Sequence, residues 1–135
     1  MAEAVLAHAA PQWTVDSAGT GDWHVGDRPD HRTLTVLRRH GLATAHRGRQ
    51  VRAEDFSDFD LLLVMDRSNL RNLENFRPRS GATAEVALLG SFDPQGGERE
   101  VPDPYHDALD AFEAVYAQIE RCCRGLIAAH PHSRP

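Results

Sequence analysis

The stretch Phe59-Asp60-Leu61-Leu62-Leu63-Val64-Met65-Asp66-Arg67-Ser68-Asn69 decides the fold. Leu61 to Met65 is continuously apolar rather than alternating. That is the pattern of a strand covered on both faces, as in a parallel sheet flanked by helices. Directly behind it, Asp66 or Ser68 can accept the free N–H groups of a helix start, and Leu70 and Leu73 follow at helical spacing. A buried strand that runs into a capped helix is half of a βαβ unit, so the expected class is α/β with a parallel sheet.

The rest of the chain alternates in the same way. Ala2 to Ala9 is helical in composition, with Val5, Leu6 and Ala9 on one side and Pro11 ending it. Trp13-Thr14-Val15-Asp16-Ser17 reads as a short strand entering the loop Ala18-Gly19-Thr20-Gly21. Pro29-Asp30 opens a helix carrying Leu34 and Leu37, with Gly41 as its stop. Ala53 to Phe56 is a single helical turn, and Glu85 to Leu89 a further strand. A long loop spans Gly90 to Asp107, and the last helix carries apolar residues from Leu109 to Ile127. One domain over 1–129 is expected, with 130–135 as a flexible tail.

Composition narrows the function. The net charge of −5 and the lack of a dense basic patch argue against nucleic acid. No apolar run reaches membrane-spanning length and no signal-peptide pattern opens the chain, so a cytoplasmic, non-membrane protein is expected. Cys122 and Cys123 are adjacent, a poor basis for a disulfide framework. Lysine is absent, which excludes a Gly-Lys nucleotide loop and points to a GC-rich genome. His24, His31, His40, His46 and His106 lack tight metal spacing, and Gly19-x-Gly21 lacks the third glycine of a dinucleotide fingerprint. No metal and no organic cofactor are expected.

Sites in open α/β sheets form at the carboxyl ends of strands. That selects the loop after Ser17, the Asp66–Asn69 turn, and Val101-Pro102-Asp103-Pro104-Tyr105-His106-Asp107. Asp-Pro by itself is an ordinary turn signal. Here two prolines fix the backbone on either side of one carboxyl group, with an aromatic ring behind it.

In this order, Asp16-Ser17-Ala18-Gly19-Thr20, Arg39-His40-Gly41-Leu42, Met65-Asp66-Arg67-Ser68-Asn69-Leu70, Leu88-Leu89-Gly90-Ser91-Phe92-Asp93-Pro94 and Asp103-Pro104-Tyr105 resemble the low-molecular-weight protein tyrosine phosphatases. The resemblance implies a three-layer αβα fold with a four-stranded parallel sheet. It implies hydrolysis of phosphotyrosine, in a protein or as a small aryl phosphate, through a cysteinyl-phosphate intermediate without cofactor. Asp103 takes the place of the general acid that protonates the leaving phenolate. Trp23 and Tyr105 match aromatic walls of the substrate cleft, and His106 stands where relatives often have a second tyrosine. Ser17 and His46 match positions that brace the phosphate loop, and Asp66 matches a structural acid.

The family's nucleophile is a cysteine with an arginine six positions later. Six residues beyond Cys122 and Cys123 stand Ala128 and Ala129, so the chain offers no such pair. Met1-Ala2-Glu3-Ala4-Val5 resembles the helix that directly follows the family's loop. The expectation is therefore a chain truncated at its N-terminus relative to the family, lacking the first, central strand and the phosphate loop, through a misassigned start. Residues 1–135 alone should then be inactive. The alternatives are an arsenate reductase of the same fold, which resolves its intermediate with further cysteines, and a non-catalytic relative that acts as a binding protein.

Overall fold

The structure is a computed structural model and describes residues 1–19, 25–96 and 100–130. Five α-helices, two strands and a 3₁₀ turn follow in the order α1 (Ala2–Ala9), α2 (His31–Arg39), α3 (Asp55–Asp58), β1 (Leu61–Val64), α4 (Arg67–Phe76), β2 (Glu85–Leu88), the 3₁₀ turn (Leu89–Phe92) and α5 (Leu109–Ala129).

The apolar run forms β1, which pairs in parallel with β2, Leu61 opposite Glu85 and Val64 opposite Leu88. Alternation along β1 then builds two cores. Leu63 and Met65 join Val5, Val36, Leu37, Phe112, Val115, Ile119 and Cys123, where α1, α2 and α5 cover one face. Leu62 and Val64 join Phe56 and Leu73 under α3 and α4 on the other. These are helical layers on both faces of a parallel sheet, the α/β arrangement expected.

The helix boundaries follow from capping. Asp30 accepts from the Arg32 N–H at 2.8 Å, and Asp66 from the Asn69 N–H at 2.8 Å, so each aspartate satisfies a donor its helix leaves open. Gly41 ends α2 with φ +75, a conformation that favours glycine. In α2 the buried pair is Val36 and Leu37, with Leu34 half-buried. On α1 the buried place expected for Ala9 is taken by Ala10 just beyond it.

Two readings need correction. Trp13–Ser17 forms no strand: among the described residues the sheet has two strands, and this segment's nearest pairing is one parallel bridge from Gly19 to Gln50. A strand exists only through its neighbour, and no strand lies along these residues. The loop expected from Gly90 is also not uniform, since the 3₁₀ turn occupies its start. Of the family's four strands, three were expected here, and two are seen among the described residues. Residues 131–135 of the expected tail lie outside the described residues.

The Glu85 N–H donates to the Asp60 carbonyl at 3.0 Å. In a parallel ladder alternate residues bond to opposite sides. Leu62 and Val64 therefore bond to β2, and Leu61 and Leu63 turn their backbone groups to the other edge; Leu61–Met65 as a whole lines a cavity of about 1130 Å³.

Close packing of α5 on the 3₁₀ turn depends on Gly125, where a Cβ would overlap the Phe92 carbonyl oxygen. Alanine is the better helix former by about 1 kcal/mol. Gly125→Ala is nevertheless expected to destabilise the protein by about 1–3 kcal/mol, because backbone must move to admit the methyl group. Urea denaturation checks this, and a stabilised variant would refute the contact.

Candidate functional site

The large cavity is where the sequence-selected residues meet. Its lining includes Ser17, Asp66, Asp103 and Tyr105, which come from three separate loops. Leu61–Met65 forms its floor, so the site lies along β1 and at its carboxyl end.

Asp103 is exposed, and its carboxylate accepts the Tyr105 N–H at 3.1 Å, a turn that locks the loop on itself. Tyr105 is 56% exposed and lines the cavity, which puts an aromatic surface at its mouth. His106 is exposed and meets Tyr105 edge-on, ring centroids 5.1 Å apart. Trp23 lies outside the described residues.

Beneath the mouth, the Ser17 hydroxyl donates to Glu3 Oε1 at 2.7 Å and lies 3.1 Å from His46 Nε2. His46 Nδ1 stands 3.0 Å from the same Glu3 oxygen and 3.7 Å from Asp16. Ser17 and His46 are thus joined to each other and to α1. Glu3, Asp16 and His46 each offer a ligand-type atom within 4.8 Å of the others. In this structure those residues are engaged with one another, with Ser17 and with Arg49.

Two cationic anchors hold the surrounding segments, and neither stood out in the sequence as part of the site. Arg49 reaches Asp16 at 2.9 Å and buried Asp55 at 3.0 Å and 3.3 Å, tying α3 to the segment around Ser17. Arg32, in the first turn of α2, pairs with Asp30 and also donates to the acid loop. Its hydrogen bonds hold the Asp30 carboxyl down at about 2. The Asp-x-Arg spacing in Pro29-Asp30-His31-Arg32 signals a helix cap, and only the fold reveals the further contacts.

Cys122 and Cys123 are free and buried on α5. Burial pushes the Cys122 thiol up to about 11, with Asp93 adding to the effect, and the Cys123 thiol up to about 12. Cys123 touches the cavity wall. At neutral pH neither supplies a thiolate, which is the reactive form of a cysteine. No described helix is long and apolar enough to cross a membrane.

The family model "Low molecular weight phosphotyrosine protein phosphatase" matches residues 1–133. Because that match begins at residue 1, the expected N-terminal truncation draws no support from it. The enzyme of that name from Sus scrofa is 44% identical over 121 residues, covering 89% of this chain and 76% of its own. The Homo sapiens enzyme is 44% identical over 117 residues, covering 85% and 73%. Among solved structures, Primo-1 superposes with a TM-score of 0.91 at 35% identity, covering 97% of this chain and 89% of its own. The Drosophila arginine phosphatase DARP superposes with a TM-score of 0.90 at 38% identity, covering 98% and 88%. The chain belongs to the low-molecular-weight phosphotyrosine protein phosphatase family.

Proposed function

We propose that this fold serves hydrolysis of phosphotyrosine monoesters in the cytoplasm, with Asp103 as general acid. The observation that carries the reading is the meeting of Asp103, Tyr105, Ser17 and Asp66 around one cavity. A phosphotyrosine ring would rest on Tyr105, with His106 and Trp23 as further contacts. Its phosphate would point inward past Asp103, towards the Ser17–His46–Glu3 network that braces a phosphate-binding loop. Asp66 caps α4 at the rim and supports the same end of the sheet. Asp103 would protonate the departing phenolate and then draw a proton from the attacking water. The substrate is a phosphotyrosine protein or a small aryl phosphate, and the reaction as described needs neither metal nor organic cofactor.

The nucleophile is not Cys122 or Cys123, given their burial and raised thiol values. We place it on a loop that follows a strand laid along the Leu61–Leu63 edge, the edge of β1 turned away from β2. Residues 1–135 alone are therefore expected not to turn over an aryl phosphate. Fusion of an apolar strand and a Cys…Arg loop ahead of Met1 should produce turnover with a trapped phosphocysteine. Turnover by 1–135 that vanishes on Asp103→Ala would show that the nucleophile lies within the chain. A fused protein that binds phosphotyrosine peptides without hydrolysis would favour a binding protein. The arsenate reductase alternative needs accessible resolving thiols, and buried Cys122 and Cys123 weigh against it.

A further inference from the structure

Asp103 works as an acid only if its loop holds still, and the loop has little to hold it. Val101 enters it with an N–H bond to the Met65 carbonyl at 2.7 Å. Beyond that, the Tyr105 N–H bonds Asp103 and the Asp107 N–H bonds the Pro104 carbonyl, both within the loop. Among the described residues, the hydrogen bonds tying 102–107 to another element both come from Arg32, while the Ala108 carbonyl accepts the Ala111 N–H as α5 begins. Nη1 donates to the Asp107 carbonyl at 2.7 Å and Nη2 to the Tyr105 carbonyl at 2.8 Å.

Arg32 is itself fixed on three sides. Nε and Nη2 form a fork on Asp30 at 3.0 Å and 2.8 Å. Its guanidinium lies 4.4 Å from the Phe112 ring centroid on α5 and 5.7 Å from that of Tyr105. One planar cation thus joins α2, α5 and the acid loop. The residue that receives its bond, Tyr105, is also the one whose N–H orients the Asp103 carboxylate.

We propose that Arg32, braced by Asp30, is a positioning residue that sets Asp103 and the Tyr105 ring at the cavity mouth. It acts through the loop and touches no substrate. This rests on the reading of Asp103 as general acid. A lysine cannot take its place: an ammonium is a point donor, whereas the task needs a planar fork that reaches two carbonyls while lying on an aromatic face.

The first test needs no turnover. In chain 1–135, Arg32→Ala and Arg32→Lys should speed amide hydrogen exchange at Tyr105–Asp107 by about tenfold or more, with the middle of α5 unchanged. Unchanged exchange in the loop overturns the proposal. The second test is a double-mutant cycle in the fused, active form. Arg32→Ala should lower kcat about 10²-fold on aryl phosphates with poor leaving groups, and less on good ones. In an Asp103→Ala background that loss should disappear. A loss that persists there means Arg32 does not act through Asp103, and the proposal falls. If Asp103→Ala itself shows no leaving-group dependence, the general-acid reading falls instead, while the exchange result still reports on the tether.

Discussion

Asp55→Ala is expected to lower stability by about 3 kcal/mol, and the unfolding midpoint by roughly 10 °C. Asp55 is 2% exposed and sits beside Phe56, the centre of the smaller core. Its carboxylate accepts both Arg49 Nη atoms and the Arg52 N–H at 2.9 Å. Removing it leaves the Arg49 guanidinium partly buried with Asp16 as its remaining acid, and leaves the Arg52 N–H, in the turn leading into α3, without its acceptor. Breaking such a pair from one side costs more than the pair is worth, because the surviving charge stays desolvated. Asp55→Asn keeps the shape and one acceptor, so it should cost less. A pH series adds an independent check. Burial raises the Asp55 carboxyl, but the Arg49 bonds and the Arg52 N–H outweigh it and leave it below the ordinary range. The folded state therefore binds fewer protons here than the unfolded chain. The contribution is full above the unfolded value of about 3.9 and is lost as pH falls through the lower folded value. Asp55→Asn should flatten that acid limb in thermal unfolding followed by circular dichroism. A loss below about 1 kcal/mol for Asp55→Ala would show that the pair is not a keystone of this face.

The second large effect is on rate. In an active form, Asp103→Ala should lower turnover about 10²–10⁴-fold on phenyl-type esters with poor leaving groups. It should change little for a leaving group that departs without a proton. The contrast separates general acid catalysis from mere loop disruption, which lowers both alike. A plot of log kcat against leaving-group pKa should steepen in the variant, and parallel lines would refute the role. Asp103→Asn preserves the Tyr105 N–H contact through its amide oxygen, so equal loss in both variants would place the effect in the proton.

The sequence made the helices legible because their signals are local. Asp30 and Asp66 cap where a carboxylate precedes an apolar stripe, Gly41 stops where a positive φ is needed, and α5 shows its buried face in spacing alone. β1 was legible because apolar packing on both of its faces leaves a continuous apolar run, although Leu61–Leu63 are only half-buried. Trp13–Ser17 misled because its residues favour extended backbone, whereas strand identity depends on a partner that composition does not encode. The same division runs through the site. Asp103 and Tyr105 were readable from two prolines within three residues of each other. Arg32 was not, because its bonds to Tyr105 and Asp107 span 73 and 75 residues. Glu3 was hidden likewise, its contact with Ser17 spanning 14. Trp23 stays an inference from resemblance, since it lies outside the described residues.

The paired cysteines of α5 have a practical use. Both thiols are buried and almost wholly protonated at neutral pH, so an alkylating reagent reaches them readily only when the packing around α5 opens. Their modification rate is then a clock on opening of the molecule. At low reagent concentration it reads the equilibrium between closed and open forms, and at high concentration the opening rate itself. The protein carries its own unfolding probe, and every substitution discussed above can be ranked with it without a label or a working active site.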